Sequence, residues 1–149
     1  MDTTDDGRDM GRPTKFDYYL GIAEAVSKRS TCLRRQYGAV IVQEDEIIAT
    51  GYNGPPREER NCTDIGECLR QTENVAHGER YELCRSVHAE MNAMLSASRK
   101  EMLGAYIYIY GYDIVEGKEI SAEPCGICDR MLRNCYLHVA RRLTIPTRE

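Results

Sequence analysis

The chain has 149 residues, a single-domain length, and its net charge of −4 argues against a long nucleic-acid backbone as the partner. Its 42% hydrophobic and 30% charged residues are typical of a globular protein. No apolar run approaches the ~20 residues of a membrane span, and the acidic start lacks the features of a signal peptide. Seven cysteines without an export signal favour a reducing compartment, so we expect a cytoplasmic metalloprotein.

The first half of the chain reads as a helix and then a hairpin. Residues 1–12 are polar and charged, which predicts a disordered acidic tail before a single domain over 13–149. Apolar residues at helical spacing predict an amphipathic helix over 14–30. Two short apolar segments predict strands over 38–42 and 47–52 with a polar connection between them.

The stretch from 53 to about 86 is long for a connection inside a compact domain, so we expect it to be functional or braced. Beyond it, the pattern predicts a helix over 87–99, a strand over 105–110 and a polar excursion over 111–123 that turns at Gly117. A helix over 125–135 and a strand over 137–145 follow. This order predicts an α/β protein in which helices flank a mixed sheet.

One pair of motifs carries recognisable chemistry: His88-Ala89-Glu90 and, later in the chain, Pro124-Cys125-Gly126-Ile127-Cys128. A catalytic zinc typically takes three protein ligands and leaves a fourth position for water, which loses a proton near neutral pH. His88, Cys125 and Cys128 supply the ligands, and Glu90 is a carboxylate placed to shuttle protons. The spacing H-x-E…P-C-x-x-C is the signature of zinc deaminases. Alone, the Cys-x-x-Cys pair would also fit a redox pair or half of a structural zinc site.

With these motifs, the chain resembles the cytidine and deoxycytidylate deaminase superfamily, and within it the deoxycytidylate (dCMP) deaminases, including the branch associated with bacterial competence genes. Over roughly 14–140, further motifs support this resemblance: Ser30-Thr31-Cys32-Leu33-Arg34-Arg35, Gly38-Ala39-Val40-Ile41-Val42, Gly51-Tyr52-Asn53-Gly54, Gly78-Glu79-Arg80 and Leu83-Cys84-Arg85. The resemblance implies a three-layer cytidine-deaminase-like fold with a mixed five-stranded sheet.

The resemblance also implies an activity, zinc-dependent hydrolytic deamination of dCMP to dUMP. Zinc-bound hydroxide would attack C4 of the base, and Glu90 would shuttle the proton. Asn53 would bind the sugar 3′-hydroxyl, and Ala89 would belong to the substrate-binding set. A homo-oligomer, hexamer or dimer, regulated by dCTP and dTTP is implied as well. Deamination of another aminated nucleotide, or of transfer RNA or single-stranded nucleic acid, is the alternative, and a non-catalytic zinc-stabilised nucleotide-binding module is a further one.

A second, structural zinc site is predicted from four further cysteines, with His77 as a substitute ligand: Cys32, Cys62, Cys68 and Cys84. Four ligands with no open position would stabilise the long 53–86 connection. The alternative is that these cysteines are buried free thiols, as we expect for Cys135.

Several polar and aromatic residues are candidates for substrate contact. Arg34 and Arg57 are candidate phosphate partners, although a solvated surface position is the default for each. Asn53 also fits an ordinary turn residue before Gly54. Tyr112 is a candidate for stacking on the base. Alternating tyrosines in the predicted strand share one face and are interpreted as sheet packing: Tyr106, Tyr108 and Tyr110.

Overall fold

The computed structural model describes residues 11–74, 84 and 86–143. The predicted tail lies outside the described residues up to position 10. A five-stranded sheet forms the middle of the molecule: β1 Arg35–Gln43, β2 Glu46–Tyr52, β3 Tyr106–Asp113, β4 Lys118–Ile120 and β5 His138–Ala140. The strand order is β2-β1-β3-β4, and β5 pairs with the other end of β3. Only the β3–β5 pairing is parallel among these strands, so the predicted mixed sheet is confirmed.

Helices cover both faces of the sheet, and their bounds are α1 Lys15–Ser27, α2 Cys62–Ile65, α3 Leu69–Thr72, α4 Ala89–Leu95, α5 Arg99–Met102 and α6 Gly126–Asn134. Thr14 caps α1 by accepting a hydrogen bond from the backbone of Asp17. The α4 helix is shorter than the predicted 87–99, because Ser98 starts the separate α5 with a capping box. No helix in the described part of the chain is long and apolar enough to cross a membrane.

Side-chain alternation along β1 and β3 separates two apolar clusters. On one face, α1 packs on Val40, Val42, Tyr108 and Tyr110. On the other, α4 and α6 pack on the odd-numbered positions of the same strands: Ala39, Ile41, Ile107 and Ile109. The predicted packing role of the alternating tyrosines is thus confirmed, as is the core position of Cys135. The second face is the one that carries the candidate site.

The excursion predicted over 111–123 is a β-hairpin. Residues 111–113 continue β3 and pair with β4, and the predicted turn residue Gly117 has a positive φ of 67°. The polar composition hid this pairing because β4 has only three residues and one exposed face. The hairpin brings residues 120–125 back toward the start of α4.

The long 53–86 connection contains the short helices α2 and α3. An isolated bridge between Gly54 and Val87 ties its two ends together, with backbone N–H to O distances of 3.2 and 2.6 Å. Residues 75–83 and 85 are not described, so the predicted substitute ligand His77 lies outside the described residues. The bridge holds the ends of the connection beside the start of α4.

Candidate metal centre and its cavity

Two helix starts bring the predicted zinc ligands together. His88 is the N-cap of α4, and Cys125 is the N-cap of α6, where its sulfur accepts a hydrogen bond from the backbone N–H of Cys128. His88 Nδ1 lies 3.3 Å from Cys128 Sγ and 3.5 Å from Cys125 Sγ. Within the described residues, these three form the only group of candidate ligand atoms that all lie within 4.8 Å of one another.

Hydrogen bonds among the two thiols and the imidazole shift their pKa values in directions that suit a metal site. A hydrogen bond from the Cys128 thiol, supported by one from His88, lowers the pKa of Cys125 to about 3. The same contact with Cys125, together with burial, raises the pKa of Cys128. The hydrogen bond to Cys125 raises the pKa of His88. One thiolate therefore forms readily at this helix N-terminus, and thiolate is the form that binds a metal.

Glu90 lies in the first turn of α4, only 6% exposed, beside the ligand group. Burial raises the pKa of its carboxyl group, and the nearby His88 acts in the opposite direction. Its carboxyl group also has a hydrogen bond with Cys128. A carboxyl group with a raised pKa next to a metal site is suited to proton transfer near neutral pH.

The donor set fits zinc. Two cysteine sulfurs and one imidazole nitrogen are ligands that zinc prefers, and three protein ligands leave a tetrahedral position for a water molecule or substrate. His88 and Cys125 are half-buried and line a cavity, whereas Cys128 is fully buried beside them. This is the arrangement of a catalytic site and not of a closed structural one.

A cavity of about 260 Å³ adjoins the ligand group, and His88, Ala89, Glu90 and Cys125 lie in its wall. Apolar residues form another part of the wall: Tyr37, Ile109, Ile120, Ala122 and Pro124. The mixture of apolar surface with a few polar groups is typical of a site for a small molecule.

Among the described residues, Arg34, Arg35 and Arg70 line this cavity. Arg70 is only 7% exposed, and its positive charge opposes the rise in the pKa of His88. Arg35 is 4.0 Å from the buried Asp113. The prediction for Arg34 therefore fits this placement, whereas Arg57 is exposed, follows the end of β2 and does not line the cavity. Sequence reasoning missed Arg70, whose one local signal was its position two residues after Cys68 in the long connection.

Asn53 lines the cavity and is also built into the sheet. Its side-chain oxygen accepts from the backbone N–H of Tyr37 at 2.9 Å, and its side-chain nitrogen donates to the carbonyl of Arg35 at 3.0 Å. The amide thus continues the pairing with β1 after β2 has ended. Each end of the amide has capacity for one more hydrogen bond, so a substrate contact remains compatible with this geometry.

Tyr112 does not line the cavity. It belongs to the even-numbered residues of β3, which pack on the α1 face, whereas the site lies on the other face. The prediction that Tyr112 stacks on a base is therefore corrected, because strand alternation points it away. Among the described residues, the tyrosine in the cavity wall is Tyr37, which shares its side of β1 with Ala39 and Ile41.

The cysteines predicted as a second metal site are divided between two places. Cys32, Cys68 and Cys84 line the cavity, and the charges of Cys84 and Cys68 contribute to the raised pKa of Cys32, which burial dominates. Cys62 is buried on α2 and does not line the cavity. The seven cysteines all lie within the described residues, and none of them forms a disulfide there.

Comparison with known proteins assigns the family. The profile of the cytidine and deoxycytidylate deaminase zinc-binding region matches residues 13–141, so the chain belongs to this family. The deoxycytidylate deaminase of Mycobacterium phage D29 is 34% identical over 128 residues, covering 83% of this chain and 89% of the phage protein. The deoxycytidylate deaminase of Schizosaccharomyces pombe is 40% identical over 91 residues, but the match spans only 28% of its length.

Solved structures support the fold. The apo crystal structure of dCMP deaminase from the cyanophage S-TIM5 superposes with a TM-score of 0.58, covering 87% of this chain and 84% of that one. Sequence identity over this alignment is 22%, so the likeness concerns the fold. It confirms the predicted cytidine-deaminase-like architecture.

Proposed function

We propose that the protein catalyses zinc-dependent hydrolytic deamination of dCMP to dUMP. The observation that carries the proposal is the His88–Cys125–Cys128 group beside the buried Glu90, next to a cavity whose described wall includes Arg34, Arg35 and Arg70. Membership of the deaminase family and relatives named deoxycytidylate deaminase support it. The ligand group is suited to zinc, Glu90 is suited to proton transfer, and the arginines are suited to the phosphate of a nucleotide monophosphate.

The ligand group would hold zinc, which lowers the pKa of a coordinated water molecule and so supplies a nucleophile at neutral pH. Glu90 would accept a proton from the attacking water and deliver it to N3 of the base, and it would then take the proton of the new C4 hydroxyl and pass it to the departing amine. Burial raises the pKa of its carboxyl group, which favours the protonated form that donates the proton. Ala89 and Asn53 border the same space and are proposed to contact the nucleotide.

Phosphate binding is proposed for Arg34 and Arg70. Guanidinium groups bind phosphate through paired, charge-assisted hydrogen bonds, and a partly buried site strengthens these bonds. Arg35 already faces Asp113, so its charge is partly balanced within the protein. A site built for a phosphate group discriminates against the free nucleoside, because the arginines would then lose their contact with the phosphate.

The proposal is tested by an ammonia-release screen on zinc-loaded protein with dCMP, dCTP, deoxycytidine, CMP and adenine nucleotides. We expect dCMP to be the preferred substrate and dUMP the product, identified by mass. Equal or greater activity on an adenine nucleotide would favour the alternative substrates. Activity that requires transfer RNA or single-stranded nucleic acid and falls with salt would favour nucleic-acid deamination.

The remaining parts of the proposal concern assembly and regulation. The resemblance supports a homo-oligomer, either a hexamer or a dimer, and regulation by dCTP and dTTP. The seven cysteines, which form no disulfide within the described residues, support a cytoplasmic location, and the length of the chain supports a single domain over 13–149. A second, structural zinc is proposed at the cysteines of the long connection. Three of these border the cavity, which supports a shared site, although within the described part of the chain they do not form a group with ligand atoms within 4.8 Å.

A further inference from the structure

The cavity wall contains one tyrosine whose position depends on a glycine. Tyr37 of β1 lies opposite Gly111 of β3, and Gly111 lies opposite Ile120 of β4, so the three form a row across the sheet. A Cβ atom added at Gly111 would lie 2.7 Å from Cε1 and 3.0 Å from Cδ1 of Tyr37, and 3.2 Å from Cγ1 of Ile120. The tyrosine ring therefore occupies the space that any other residue at 111 would fill.

The conformation of Gly111 does not itself require glycine, because it is absent from the residues with positive φ. What requires glycine is the ring that lies over it. Tyr37 and Ile120 both line the cavity, whereas Gly111 does not. Gly111 thus leaves room for the ring of Tyr37, which is part of the cavity wall.

Tyr37 also lies among the residues of the candidate site. The backbone N–H of Tyr37 donates to Asn53, and the carbonyl of Tyr37 accepts from the backbone N–H of Asn53 at 3.4 Å. Glu90 and His88 line the same cavity. Among the cavity-lining residues in the described part of the chain, Tyr37 is the only tyrosine, and neither phenylalanine nor tryptophan lines the cavity.

We propose that the Tyr37 ring is the surface on which the pyrimidine of the substrate packs, and that Gly111 positions this ring. This inference rests on the proposed function. A pyrimidine has two apolar faces, and aromatic side chains are the usual partners for such faces. The contact is present in the bound substrate and in the transition state alike, so it acts on substrate affinity.

The test is steady-state kinetics with dCMP. Replacing the ring, Tyr37→Leu, should raise KM roughly 10- to 100-fold, the range for loss of one base–aromatic contact, with a smaller change in kcat. Tyr37→Phe keeps the ring and should remain within about 2-fold of wild type. The control is Tyr112→Leu, which removes a tyrosine from the other face of the sheet and should leave KM unchanged. Zinc content and circular dichroism establish that each variant is folded.

Gly111→Ala tests the positioning. It should raise KM in the wild type and have little further effect in the Tyr37→Leu background, where no ring remains to be displaced. Unchanged KM in a folded Tyr37→Leu variant would overturn this inference while leaving the proposed function intact, and so would fully additive effects of the two substitutions. A wild-type enzyme that releases no ammonia from any cytosine nucleotide would overturn the proposed function and this inference with it.

Discussion

Gly51 of β2 lies directly against the backbone of α4 at Ala89: a Cβ atom at Gly51 would lie 2.4 Å from the carbonyl oxygen of Ala89. It would also lie 2.3 Å from the backbone nitrogen of Ala93. The absence of a side chain therefore sets how deeply α4 sits on the sheet. Because Glu90 and His88 belong to the start of this helix, the same contact sets their position in the cavity wall.

We predict that Gly51→Ala destabilises the fold and lowers activity, because α4 must move away from the sheet. The cost should be about 1–3 kcal/mol, the range for overpacking in a close contact. Gly21→Ala is the matched control, since no atom lies within 4 Å of its Cβ position and alanine favours a helix interior. Urea denaturation measures both, and equal stability of the two variants would contradict the prediction.

The metal group was predictable because each of its parts is local in sequence. His88 and Glu90 are two residues apart, Cys125 and Cys128 are three apart, and each pair opens a helix. Arg70 and the side of the sheet faced by Tyr37 were not predictable in this way. Their positions depend on the path of the long connection and on the pairing of β1 with β3, which spacing does not encode.

The fold shows the same division. The long periodic helix α1 was predicted close to its true bounds, and the predicted strand 38–42 lies within the longer β1, whereas β4 and α5 were missed. Three or four residues carry too little periodicity to show a pattern, and tertiary pairing decides their structure.

Glu90→Gln should retain fold and zinc but lose activity by roughly 100- to 10,000-fold, the usual contribution of general acid–base catalysis. Glutamine keeps the size of the side chain and cannot carry the proton. Glu123→Gln is the control, because Glu123 lines the same cavity but is exposed. The measurement is kcat with dCMP together with zinc content. Near-normal turnover by Glu90→Gln would contradict the assignment of Glu90 as the proton carrier.

Arg70→Gln should raise KM for dCMP by roughly 10- to 100-fold, the loss expected for a hydrogen bond to a charged group, and leave the weak activity on deoxycytidine unchanged. Arg57→Gln should change neither, since this side chain lies outside the cavity. In the wild type, deoxycytidine should be much the poorer substrate. Comparable kcat/KM for the nucleotide and the nucleoside would rule out a phosphate-binding role for these arginines.

The protein should lose stability at high pH through its buried tyrosines. Burial raises the pKa of Tyr108 and of Tyr110 to about 12, above the value of about 10 for an unfolded chain. Because the folded-state pKa is the higher one, the stabilisation is complete below pH ~10 and is lost as pH rises toward 12.

Urea denaturation from pH 8 to 12 tests this expectation. Tyr110→Phe should flatten the decline above pH ~10, because the phenol that ionises on unfolding is gone. Below that pH, the difference between this variant and the wild type should be constant. An identical decline in both would show that Tyr110 makes no contribution.

The second metal site gives the last prediction. If the cysteines of the long connection bind zinc, metal analysis of reduced protein should find about two zinc ions per chain, one catalytic and one structural. Cys84→Ser should then remove one zinc and lower thermal stability, because a closed site is coupled to folding of the segment it braces. The catalytic zinc should remain bound, and the affinity of its site for zinc should be unchanged.

Two further variants sharpen the outcome. Cys135 lies in the apolar core away from the cavity, so the Cys135→Ser variant should keep both metals. Cys62→Ser distinguishes the full four-cysteine set from a site built on Cys32, Cys68 and Cys84, because Cys62 alone does not line the cavity. A retained second zinc in Cys62→Ser would assign the site to the other three. A single zinc in fully active wild-type protein would leave all four as free thiols, since no ligand set other than His88, Cys125 and Cys128 would then be needed.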